Sequence, residues 1–243
     1  MEDIFVFDID DTLYDQLHAF ERAINNQKIN NNKDLDISKL YYLMKKYGDE
    51  TFSSTGFDQQ RLEKMQIFRI QRALQDYNIE ITDKQALNFQ TVFENYQNDI
   101  ELFPKMEKLL NLLIAKGNTL GIITNGTLKR QSKKIKMLNL EKWIPWNNIL
   151  ISEEVGVSKP EKLIFKKFEE RLSISPMKQN IIYIGDNYLN DISGAKSAGW
   201  QTVWVNYRNY DIPKECETDY MVQKPEDLFY ITIDLLYKIN GSN

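Results

Sequence analysis

Three carboxylates, Asp8, Asp10 and Asp11, follow directly on a short apolar run, residues 4–7. The branched and aromatic bias of that run is that of a strand buried on both faces. A strand's period of two aims Asp8 and Asp10 to one side and Asp11 to the other, so two acids share one pocket. At 4 Å and an effective dielectric near 20 such a pair repels by roughly 4 kcal/mol, which a cation or a shared proton relieves. An acidic turn is the plainer reading, because Asp is common in turns and helix caps. Three later stretches carry residues of similar chemistry. Thr124-Asn125-Gly126 reads either as a β-to-α turn or as a phosphate seat, in which Thr124 and the amides of Asn125 and Gly126 bond an anion. Lys159-Pro160 reads as a helix entry or as the cation that neutralises that anion. Asp186 and Asp191 read as helix caps or as two further acids, whose oxygens with those of Asp8 and Asp10 suit Mg²⁺.

For these residues to meet, the elements around them must share one edge. Apolar runs at 4–7, 119–123, 149–152, 181–184, 202–205 and 220–222 alternate with helical patterns at about 104–116, 128–138, 161–172, 190–198 and 225–239. That alternation predicts an α/β fold: a parallel, doubly wound sheet with right-handed crossovers and ligands beyond the carboxyl ends of its strands. All four polar stretches fall at or just beyond such ends.

Residues 16–98 break the alternation. Helical periods at 16–27, 37–47, 59–77 and 83–97 predict an all-helical domain inserted into a core formed by 1–15 and 99–243. Stripes such as Leu62, Met65 and Phe68, or Phe89, Val92, Phe93 and Tyr96, are core packing. The Asn-rich stretch 25–32 reads as a linker, and 48–57, with Thr51, Phe52, Ser53, Ser54, Thr55 and Phe57, as a loop between helices that reaches substrate or lies on the surface. His18 reads as structural or as a substrate contact. The basic run Lys129, Arg130, Lys133, Lys134 and Lys136 leaves Ile135 and Leu138 for the core and reads as a solvated face.

The 243 residues suffice for a substantial apolar interior. With 31 Lys+Arg against 35 Asp+Glu the net charge is −4, so no basic field points to a nucleic-acid polymer or a membrane surface, and the expected partner is a small molecule. Cys216 and His18 are the only residues of their types, which excludes an internal disulfide and the usual Cys/His zinc site and leaves oxygen ligands for any metal. The acidic start and the short apolar run after it do not suit a signal peptide or a spanning helix, so the expected location is cytoplasmic.

Taken in order, Asp8-Ile9-Asp10-Asp11-Thr12, Thr124, Lys159-Pro160 and Gly185-Asp186-Asn187-Tyr188-Leu189-Asn190-Asp191 resemble the four signature motifs of the haloacid dehalogenase-like (HAD) hydrolases. The helical insert resembles the cap of the subgroup with α-helical caps. Within the superfamily, the stretches 122–126, 151–160 and 198–206 look most like the YjjG-type 5'-nucleotidases. The resemblance implies a Mg²⁺-dependent phosphomonoester hydrolase with Asp8 as nucleophile and Asp10 as proton shuttle. Thr124 and Lys159 would stabilise the transferring group, and Asp8, the Asp10 carbonyl, Asp186 and Asp191 would serve the metal. It implies nucleoside monophosphates as substrates; the alternatives are a sugar-phosphate or phosphoglycolate-type phosphatase, a phosphomutase, and a non-catalytic phosphate-binding protein. The resemblance puts a non-acidic residue at the Asp10 position in dehalogenases, so Asp10 favours phosphoester chemistry.

Overall fold

The computed structural model describes residues 3–29, 35–55, 58–175, 177 and 179–240. The chain divides into two compact units, Asp15–Ile100 and the remainder, Met1–Tyr14 with Glu101–Asn243.

Asp15–Ile100 is helical: α1 (Gln16–Asn26), α2 (Ile37–Thr55), α3 (Gln59–Gln75) and α4 (Asp83–Tyr96). Side-chain oxygens hold the orphan amides at the helix starts, Asp15 for α1, Asp58 for α3, and Thr82 with Gln85 in a reciprocal capping box for α4. The apolar stripes converge on Phe20, whose ring meets Tyr41, Phe89 and Phe93 at centroid distances of 5.2, 5.5 and 5.9 Å. One element departs from the sequence reading. The expected loop from residue 48 is helix as far as Thr55, and Gly48 lies within it, close to the Arg69 side chain: a Cβ there would meet Arg69 Cδ at 3.3 Å. Residues 30–34, Gly56 and Phe57, and the side chains of Phe52, Ser53, Ser54 and Thr55, lie outside the described residues.

The other unit is α/β. Its strands are β1 (Ile4–Phe7), β2 (Thr119–Thr124), β3 (Ile149–Ile151), β4 (Ile181–Gly185), β5 (Gln201–Val205) and β6 (Tyr220–Val222). Its helices are α5 (Met106–Ala115), α6 (Leu128–Met137), α7 (Ser152–Val155), α8 (Lys162–Leu172), α9 (Gly194–Ser197) and α10 (Pro225–Asn240), with a π-helical turn over Tyr188–Ser193. The sheet runs β3-β2-β1-β4-β5-β6, every pair parallel. β1 is therefore central and buried along its whole length, which explains its unbroken apolar sequence. Register aligns the functional ends: Phe7 lies opposite Ile122 on one side and Ile184 on the other, so Asp8, Thr124 and Gly185-Asp186 leave the sheet at one level. Beneath them pack Val6, Ile123, Phe165, Phe168, Tyr183 and Trp200, each buried.

Pro104 does not open α5. Phe103 N bonds Leu13 O at 2.9 Å and Leu102 bridges Tyr14, which keeps the chain extended until Lys105 turns it through a left-handed conformation. No helix among the described residues is long and apolar enough to cross a membrane.

Candidate active site

Asp8 extends β1 by one residue, with its amide bonded to Ile184 O at 2.9 Å. Its Oδ1 accepts from Lys159 Nζ at 2.7 Å. The remaining donors of that ammonium go to Asp191 Oδ1 at 2.5 Å and Tyr183 Oη at 2.9 Å. All four side chains are buried. Burial raises the Asp8 pKa to about 6; Lys159 opposes the rise, and the nearby charges of Asp191 and Asp10 add to it. For Lys159 burial favours the neutral amine, but Asp191 and Asp8 outweigh it and hold the ammonium well above the ordinary lysine range.

Asp191 reaches Lys159 from the π-helical turn, where Asn187 N also bonds its Oδ2 at 2.9 Å. The carboxylate lies against the backbone of Gly185; a Cβ on that glycine would fall 2.4 Å from Asp191 Cγ. Only glycine admits this approach. Trp204, from β5, donates its indole N–H to Asp186 O at 2.8 Å and so fixes the next residue of the loop.

Asp10 and Asp8 each have their own ammonium partner. Lys134 Nζ lies 2.6 Å from Asp10 Oδ1 and 2.7 Å from Oδ2. Tyr14 donates to Oδ1, and Gln131 Nε2 approaches Oδ2 at 3.2 Å. Burial pushes the Asp10 pKa up, but Lys134, with the hydrogen bonds from Lys134, Tyr14 and Gln131, brings it below the ordinary carboxylate value. The reading of Lys134 as part of a solvated face is thereby corrected: its side chain is only 7% exposed, while Lys129, Lys133 and Lys136 do face outward. Asp11 turns elsewhere, accepting from Arg208 at 2.8 Å.

Thr124 ends β2, and its Oγ1 accepts from Gln131 Nε2 at 3.0 Å. The Asn125 side chain faces the backbone of Lys159. Its amide donates to Lys159 O and accepts from Lys159 N, both at 2.9 Å, clamping the loop that carries the ammonium. The Gly126 amide donates to Ser152 Oγ at 2.9 Å. Ser152 reaches it because the chain turns helical as soon as β3 ends.

Carboxylate oxygens of Asp8, Asp186 and Asp191 lie within 4.8 Å of one another. With Asp10 they make four buried or half-buried acids against the two ammonium groups of Lys134 and Lys159, an excess of two negative charges. The residues therefore fit a divalent cation that prefers hard oxygen ligands. The Asp10 side chain is outside this cluster, drawn to Lys134.

Sequence reasoning missed Lys134, Gln131, Tyr14, Tyr183 and Ser152. One signal was present: Gln131, Lys134, Ile135 and Leu138 share a single helical face.

Several known proteins are similar to this chain. Glyceraldehyde 3-phosphate phosphatase of Pyrococcus furiosus is 28% identical over 250 residues, spanning 99% of this chain and 95% of that protein. Pyrimidine 5'-nucleotidase YjjG of Escherichia coli is 32% identical over 126 residues, 51% of this chain and 54% of the nucleotidase. Among solved structures, the magnesium-bound putative HAD-hydrolase YfnB from Bacillus subtilis has the same fold, with a TM-score of 0.68 at 22% identity over 95% of this chain and 98% of that one. The model described as haloacid dehalogenase-like hydrolase matches residues 5–205, from β1 through β5, and the chain belongs to that family.

Proposed function

We propose that the protein is a Mg²⁺-dependent phosphomonoester hydrolase that works through an aspartyl phosphate on Asp8. The observation that carries this reading is the pairing at the mouth of the sheet: Asp8 lies 2.7 Å from the Lys159 ammonium while Asp10, the second acid, is retained and separately held. Asp8 attacks phosphorus and the alkoxide leaves, which divides hydrolysis into two easier displacements. Asp10 gives the leaving oxygen its proton and takes one back from the water that cleaves the phosphoenzyme. Thr124 and Lys159 bind the equatorial oxygens of the transferring group, the charge-neutralising work that dominates phosphoryl transfer. Asp8, Asp186 and the Asp10 backbone carbonyl would hold the metal, with Asp191 serving it directly or through water. Bound there, Mg²⁺ supplies Lewis-acid neutralisation of the phosphoryl oxygens.

Helices of Asp15–Ile100 act as the cap that selects substrate. Small sugar phosphates are the favoured class, because the relative matched almost end to end is a glyceraldehyde 3-phosphate phosphatase. Nucleoside monophosphates are the second reading, supported by the higher identity to YjjG over about half of each chain.

Phosphate release from triose phosphates, other sugar phosphates and nucleoside monophosphates, with Mg²⁺ and with chelator, tests both. Mg²⁺-dependent turnover that Asp8→Asn lowers by about a thousandfold or more is expected, as for loss of a covalent nucleophile. Chelator-insensitive hydrolysis, or an active Asp8→Asn variant, would overturn the proposal.

A further inference from the structure

Helix α6 lays two side chains on Asp10 that the phosphatase reading leaves without a task. Lys134 Nζ sits 2.6 and 2.7 Å from the two carboxylate oxygens, so one ammonium spans the edge of the group and holds both oxygens towards α6. Gln131 Nε2 has Asn125 O at 2.7 Å, Thr124 Oγ1 at 3.0 Å and Asp10 Oδ2 at 3.2 Å. Two amide hydrogens cannot serve three acceptors equally, and the leg to Asp10 is the longest. Of the two α6 side chains Lys134 is therefore the firmer hold, acting beside the hydrogen bond from Tyr14 to Oδ1. Stability is a weak reason for such a pair, because desolvating two charges offsets most of their attraction. Its neighbours Lys129, Lys133 and Lys136 are exposed, so one lysine of the run is singled out.

We propose that Lys134 is a positioning residue for Asp10 in the second half of the reaction, holding the carboxylate that deprotonates the water which cleaves the aspartyl phosphate. The inference rests on the phosphatase reading of Asp8 and Asp10. In that step a water proton passes to the Asp10 carboxylate as the water oxygen bonds to phosphorus. The bond from phosphorus to the Asp8 oxygen breaks, its electron pair returns to the Asp8 carboxylate, and orthophosphate leaves. The geometry predicts an uneven effect. Loss of Lys134 should slow cleavage of the phosphoenzyme while leaving its formation from an activated ester fast.

The probe is p-nitrophenyl phosphate with Mg²⁺, whose leaving group needs no proton, followed by rapid mixing and acid quench. For Lys134→Met the expected result is a burst approaching one p-nitrophenol per site, trapped phosphoenzyme, and steady turnover at least about tenfold below the native rate. Lys134→Gln, which retains a donor, should show a smaller fall with the same burst; it decides the matter if the methionine variant does not fold. A folded variant that turns over at the native rate, or loses rate with neither burst nor trapped phosphoenzyme, would overturn the role of Lys134. Asp10→Asn is run alongside. If it accumulates no phosphoenzyme while Asp8→Asn is inactive, the assignment of Asp10 as base fails, and the proposal for Lys134 with it.

Discussion

A buried carboxylate with a pKa of about 6 is a poor metal ligand in acid and a good one at neutrality. If Asp8 holds the proposed metal, a proton and the divalent cation compete for the same oxygens, so metal affinity should rise with pH until Asp8 is ionised. From pH 7 to pH 5 the ionised fraction falls about tenfold, and Mg²⁺ affinity with it. Calorimetric titration at the two pH values checks this, and equal affinities would remove Asp8 from the metal's ligands. At this scale the sequence is legible where a residue sits at a strand end and opaque where it acts from a helix face. Asp8, Thr124 and Asp186 announce themselves because an apolar strand stops and a polar residue follows. Lys134 does not, since a lysine among lysines has the composition of a solvated surface, and only its tertiary partner distinguishes it. Asn125 and Gly126 are legible as a turn but not in their partners, Lys159 and Ser152, which lie beyond β3.

The π-helical turn and β4 are one device for placing Asp191, and Gly185 is where they touch. In Gly185→Ala a methyl group would need the space 2.4 Å from Asp191 Cγ, so the carboxylate must leave Lys159 or the strand must shift. Overpacking of this kind costs about 1–3 kcal/mol. A lower melting temperature together with loss of most phosphatase activity is expected; an active variant of native stability would show that Asp191 has other room. Elements of strong period are read correctly from sequence, including every strand of the sheet. The errors are local. Gly48 looks like a helix stop and instead lies inside α2, while the helical turn at Ser152 follows β3 too closely to leave a signal of its own.

In the whole molecule the two units differ in how the chain builds them. The helices from α1 to α4 come from one unbroken segment, whereas the α/β unit joins residues before it to residues after it. Local contacts form faster than distant ones, so amides of the helical unit should gain protection from hydrogen exchange before those of β1 during refolding. Pulse labelling reads this order, and simultaneous protection would contradict it. The place of β1 between β2 and β4 has a further consequence for synthesis on the ribosome. β1 precedes both of its neighbours, so neither edge is satisfied until β2 is made, and its second edge waits for Ile181–Gly185. Between its own synthesis and that of β4, Ile4–Phe7 is a sticky, apolar ribbon in search of a neighbour, and the nascent chain must be shielded from other copies of itself until that flank arrives.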